Sequence, residues 1–223
     1  MTSWIDFIMV FIVLMNLMLA ASSRISTCIK TVAFQGAVIG ILPILIHSQK
    51  FIWDTSIFCL ATVFLKGFVF PWLLFRAQRE ANIQREVEPV VGYPASMAAC
   101  VVTFMISSWL GSRLPLPNAG SAWVVPVSLS TILTGFFVII SRSKALTQVL
   151  GYLVIENGIY VFGMALLVEQ PFLVELAILL DIFVAVFVMG IAIFHISREF
   201  DHMDTQYLSQ LKDWEHPTEG KTR

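Results

Sequence analysis

The sequence predicts an all-α integral membrane bundle of about seven transmembrane helices, with its N-terminus outside (periplasmic) and its C-terminus cytoplasmic. Hydrophobic residues make up 57% of the chain and charged residues only 13%, where a soluble domain carries roughly a quarter charged. Mean hydropathy is +0.82, and the apolar residues gather in runs close to the ~20 residues a spanning helix needs. These runs are continuously apolar and do not alternate every second residue, which excludes a transmembrane β-barrel.

Cutting the chain where charges, Pro or Gly cluster places helices at 4–21, 31–46, 55–75, 95–110, 123–140, 146–168 and 172–194. The first has small residues at its end, Ala20, Ala21 and Ser22, but contains Asp6 and no preceding Lys or Arg, so it reads as a retained helix and not a leader. The loop 76–94 mixes Arg79, Glu80, Arg85, Glu86 and Glu88 and is expected to extend the third helix until Pro89 stops it. The chain divides into a block over 1–94, with three helices and that loop, a fourth helix and connection over 95–122, a three-helix unit over 123–196, and a tail over 197–223. In the tail, Phe200, Met203, Leu208, Leu211 and Trp214 recur at helical spacing among charges. That stripe suits a lipid surface or a neighbouring subunit, and disorder is the third reading.

Orientation follows from the excess of positive charge in cytoplasmic loops. With seven spans, Arg24, Lys30, Arg76, Arg79, Arg85, Arg142, Lys144, Arg198, Lys212, Lys221 and Arg223 share one side, and Lys50 and Arg113 share the other. The net charge of -1 argues against nucleic acid as a partner. Cys28, Cys59 and Cys100 are scattered singly, with no ligand set for zinc or an iron–sulfur cluster, and no cofactor is expected in this chain.

Ionisable side chains at mid-bilayer cost at least ~2.5 kcal/mol each, so those present tend to face a protein interior or a water path. Lys66 lies near the middle of the third run, Glu156 near the middle of the sixth and Asp181 near the middle of the seventh; Glu175 sits three residues inside its boundary. The sixth and seventh helices, joined by Glu169, Gln170 and Pro171, bring their carboxylates to similar depth. All four residues are proton-relay candidates, and pairing that merely locks helices together is the competing reading. Asp6 and His195, at helix ends, are expected to be solvated anchors, while Pro43, Pro71 and Pro126 predict kinks.

The run Gln148-Val149-Leu150-Gly151-Tyr152-Leu153-Val154-Ile155-Glu156-Asn157-Gly158-Ile159-Tyr160 resembles component E of hydrogenase-4, a membrane subunit of group 4 nickel–iron hydrogenases of the formate hydrogenlyase type. The last three helices look like the K subunit of respiratory complex I and the C subunit of multisubunit sodium/proton antiporters. The resemblance implies that Glu156 and either Asp181 or Glu175 match the two membrane carboxylates of the K subunit, and Arg142 and Lys144 its basic turn. It further implies a non-catalytic subunit that couples electron transfer to proton translocation. Its expected partners are antiporter-like and other membrane subunits, membrane lipid, and a cytoplasmic hydrogenase arm carrying the nickel–iron and iron–sulfur centres. The expected location is the cell inner membrane. An antiporter subunit without redox chemistry and a structural scaffold are the alternatives.

Overall fold

A computed structural model describes residues 2–46, 53–80, 91–114, 121–166 and 190 of the chain. The described part is all-helical: α1 (Thr2–Ala21), α2 (Ile25–Ile46), α3 (Trp53–Phe64), a π-helical turn (Leu65–Val69), α4 (Phe70–Glu80), α5 (Tyr93–Gly111), α6 (Val124–Ser141) and α7 (Ala145–Leu166). Among the described residues, five segments are long and apolar enough to cross a membrane: Trp4–Ala21, Ile25–Pro43, Cys59–Arg79, Tyr93–Gly111 and Val124–Ser141. The predicted seventh helix, the tail and His195 lie outside the described residues.

Several boundaries differ from expectation for local physical reasons. The second helix starts at Ile25, six residues before the expected 31, because Ile25, Cys28 and Ile29 are buried against its neighbours while Lys30 is left exposed. The third continues past residue 75 through α4 to Glu80, in line with the expected extension, carrying Arg76 and Arg79 in its last turns. Pro126, expected to kink its span, is the third residue of α6, where a missing N–H leaves no intrahelical bond unmade. Its ring instead occupies the space beside Gly111, whose added Cβ would come within 2.7 Å of it.

The outer surface tells what solvent the bundle is built for. Along α1, Ile5, Met9, Ile12 and Leu19 are buried, yet Trp4, Phe7, Val10, Leu14 and Met18 form a second apolar stripe that is exposed. Apolar residues on both faces make sense only where the surroundings are apolar too. Phe64, Phe68 and Trp72 continue that surface on α3, the π-helical turn and α4, and Met105 and Trp109 on α5.

Among the described elements, α6 and α7 form the most extensive contact. Small residues permit it: a Cβ at Gly135 would fall 2.7 Å from the Gly151 carbonyl, and one at Gly151 would fall 2.9 Å from the Gly135 carbonyl. Gly158 similarly faces the Ile132 backbone nitrogen at 2.8 Å. Close backbone approach of this kind is how helices associate where lipid removes the hydrophobic drive between them. At the end of the bundle holding the α6–α7 turn, Arg142 is buried, donates from Nη2 to the Ala20 carbonyl at 3.0 Å and lies 4.6 Å from the Tyr93 ring centroid. Its guanidinium therefore sits on the negative end of the α1 dipole and ties three helix ends together. At the opposite end, Ser121 donates to the Asp6 carboxylate and receives the Trp123 N–H, so Asp6 anchors α1 to the start of α6 and is not simply solvated.

The backbone contacts at Gly135 and Gly151 yield a testable expectation. Gly135→Ala should destabilise the purified protein by about 1–3 kcal/mol through overpacking against backbone, seen as an earlier unfolding midpoint in detergent. Gly92→Ala, whose Cβ would meet nothing closer than Pro94 Cδ at 4.0 Å, should leave the midpoint nearly unchanged.

Candidate functional site: a buried ion pair at mid-depth

Two apolar clusters divide the interior along its length. One gathers Leu19, Ile29, Val32, Phe70, Leu74, Val138, Leu150 and Leu153; the other gathers Ile5, Met9, Ile12, Ile39, Leu42, Val124, Val127 and Val161. Between them lie buried polar residues from several elements: Asn16 from α1, Gln35 from α2, Lys66 from the π-helical turn, Thr131 from α6, Glu156 and Asn157 from α7.

Within this layer Lys66 Nζ approaches Glu156 Oε1 to 2.5 Å, with the two side chains 4% and 3% exposed. The ammonium also donates to Asn157 Oδ1 at 3.3 Å and stands 5.0 Å from the Tyr160 ring centroid, within cation–π range. The approach to Oε1 is oblique to a good hydrogen-bond direction, and Oε2 accepts no hydrogen bond from a described residue. Charge attraction, more than aligned hydrogen bonding, holds this contact. Desolvating each ion costs several kcal/mol, so either one alone at this depth would be strongly unfavourable.

Local sequence explains how Lys66 gets there. Phe70 N–H bonds to the Leu65 carbonyl, a spacing of five residues, and Pro71 has no N–H to restore the ordinary spacing of four. The kink expected at Pro71 thus takes the form of a π-helical turn that carries Lys66, consistent with the tendency of such turns to occur at functional positions. On the opposite wall Gly36 makes room: an added Cβ would lie 2.9 Å from Lys66 Cβ and 3.5 Å from Asn157 Oδ1. A cavity of about 10 Å³ adjoins the pair, bounded by Ala33, Gly36, Pro71, Leu153, Glu156 and Asn157, and that volume matches the space for one water molecule.

Beside it runs a neutral chain. Gln35 Nε2 donates to Asn16 Oδ1 at 2.9 Å, Asn16 Nδ2 to Thr131 Oγ1 at 2.9 Å, and Thr131 Oγ1 to the Val127 carbonyl at 2.8 Å. These bonds join α2, α1 and α6 without any charge.

Of the residues predicted from sequence, Lys66 and Glu156 are brought into contact; Asp181 and Glu175 lie outside the described residues. Asn16, Gln35, Thr131 and Gly36 join the site without having been expected from the sequence. The signal for the first three was present, since each interrupts an apolar run, but a neutral amide or hydroxyl is a weaker flag than a charge. No sequence signal marks Gly36, whose importance lies in what packs against it.

A bundle with apolar outer faces and an ion pair buried between two apolar clusters defines the class: a multi-pass helical membrane protein with charge held in its interior. The chain is 30% identical over 167 residues to hydrogenase-4 component E of Escherichia coli K12, covering 74% of each protein, and matches the component E of Shigella flexneri equally. The chain belongs to the hydrogenase-4 component E family. It is also 28% identical over 214 residues to the uncharacterized protein Rv0085 of Mycobacterium tuberculosis, covering 94% of this chain and 96% of that one. No family model and no solved structure matches.

The pair's energetics can be tested directly. Lys66→Met should destabilise the protein by about 3–5 kcal/mol by leaving a buried carboxylate without its cation. Adding Glu156→Gln should recover most of that loss, as a thermal-unfolding double-mutant cycle would show; additive losses would mean that the two residues do not depend on each other.

Proposed function

We propose that this chain is a cofactor-free membrane subunit of an energy-converting group 4 nickel–iron hydrogenase complex, in which electron transfer is coupled to proton translocation. Family membership supports its place in a multisubunit hydrogenase assembly. One observation supports a proton-handling role in particular: the buried Lys66–Glu156 pair, whose second carboxylate oxygen accepts no hydrogen bond from a described residue, next to a water-sized cavity. A carboxylate restrained mainly by one neighbouring charge changes its proton affinity when that charge moves, and it needs only a water to exchange the proton.

In this reading Glu156 is a protonatable station, Lys66 the charge that sets its affinity, and Asp181 or Glu175 the second station. The bundle has seven spans in the inner membrane with the N-terminus outside, so the basic end that includes Arg24, Arg76, Arg79 and Lys144 faces the cytoplasm. There the tail from Ser197 meets the hydrogenase arm, and antiporter-like membrane subunits flank the bundle. Electrons pass through metal centres in those partners.

Purification of the tagged protein in mild detergent should recover a nickel–iron hydrogenase arm. In vesicles, Glu156→Gln should assemble yet lose proton translocation coupled to hydrogen evolution by tenfold or more. Normal coupling in that variant would reduce the pair to a structural lock. Recovery of antiporter subunits without any redox partner would assign the chain to a sodium/proton antiporter.

A further inference from the structure

We infer that Pro71 is a positioning residue for the buried pair: its ring holds the π-helical turn open, and the open turn presents Lys66 to Glu156. The inference rests on the role proposed for Lys66 beside the Glu156 station and names the backbone feature that sets the lysine's place.

The hydrogen-bond ladder shows where the ordinary helix gives way. With α-helical spacing, Phe70 N–H would reach the Lys66 carbonyl and residue 71 the Gly67 carbonyl. Here Phe70 N–H goes to Leu65 instead, and Pro71 has no N–H to give. A proline ring inside a helix also collides with the carbonyl four residues back, which for Pro71 is that of Gly67. Widening the turn over Leu65–Val69 relieves that collision. Proline by itself does not dictate this outcome, since Pro43 lies inside α2 and α2 stays α-helical. Two differences separate the sites. Helix α2 ends at Ile46, three residues after Pro43, whereas α4 runs on for nine residues to Glu80 and cannot relieve the collision by ending. The residue four before Pro43 is the bulky Ile39, whereas Gly67 has no side chain to oppose the widening.

Packing fixes the flanks on either side of the turn. Upstream, Val63 fills the space at Gly40, where an added Cβ would fall 2.8 Å from Val63 Cγ2 and 3.3 Å from its backbone nitrogen. Downstream, Phe70, Leu73, Leu74 and Ala77 are buried in the cluster that includes Ile29 and Leu153. Lys66 lies between these anchors, its Cβ 2.9 Å from where a Gly36 Cβ would be. Closing the turn to α-helical spacing takes one residue out of it, a rotation of about 100° between Lys66 and one flank. Nζ then leaves its 2.5 Å contact with Glu156 Oε1 unless Val63 gives up Gly40 or Phe70 and Leu74 give up the core.

The test repeats the thermal-unfolding cycle of Lys66→Met and Glu156→Gln on the purified full-length protein in three backgrounds: wild type, Pro71→Ala and Pro43→Ala. In wild type and in Pro43→Ala, Glu156→Gln should return most of the midpoint that Lys66→Met loses. In Pro71→Ala that recovery should fall below half. Pro71→Val, which restores the N–H at closer side-chain volume, should show the same fall and serves if Pro71→Ala does not assemble. A recovery as large in the Pro71 variants as in wild type overturns the inference, because packing of the flanks then holds the turn open without the ring. An equal fall in Pro43→Ala overturns it too, as general loosening. Loss of recovery confined to the Pro71 variants, with normal proton coupling in Glu156→Gln vesicles, leaves Pro71 in its role and overturns the proton-station reading instead.

Discussion

The structure depends on one constraint: two opposite charges, far apart in sequence, have to meet inside a medium that solvates neither. Lys66 and Glu156 come from the π-helical turn and from α7, and their contact offsets part of the cost of burying each. Meeting that demand draws α7, α2 and the third helix together around Gly36, the position where a side chain would collide with Lys66. The apolar clusters above and below then close the layer off from either end. Packing alone would leave the rotation of these helices loosely defined, since apolar residues cover both faces of α1 and much of the third helix.

The two polar assemblies in the layer differ in a way that bears on their roles. The Gln35–Asn16–Thr131 chain is neutral, and each side chain in it has a well-formed hydrogen bond near 2.9 Å. Such a satisfied network specifies geometry and has little reason to change state. The ion pair is different: Glu156 Oε2 takes no hydrogen bond from the described residues and Lys66 has alternative contacts at Asn157 and Tyr160. Satisfied groups hold helices in register, whereas the carboxylate of the pair lies beside a small cavity and is held by charge.

Much of this was legible in sequence, and the misses have physical causes. Long apolar runs placed the boundaries of the described helices to within six residues, because insertion in lipid depends on summed hydropathy along the chain. The start of α2 was missed because Lys30 looks like a loop marker; an exposed position lets its charge reach solvent while Ile25, Cys28 and Ile29 pack inward. Arg142 was read as one more surface charge, and it is buried because the carbonyl end of α1 and the Tyr93 ring are positioned to receive it. Pro126 was expected to bend a helix in whose first turn it lies.

What the sequence determined by itself was solvation: which stretches belong in lipid, that they are helical, and that Lys66 and Glu156 would need an interior partner. Those properties are local, since each residue carries its own transfer free energy. Tertiary structure decided which partners meet. That choice depends on helix rotation and on how closely backbones approach, set here by the π-helical turn before Pro71 and by the missing side chains at Gly36, Gly135 and Gly151. A one-dimensional reading can rank residues by the cost of burying them, but the contact between an ammonium and a carboxylate exists only once the helices carrying them are packed.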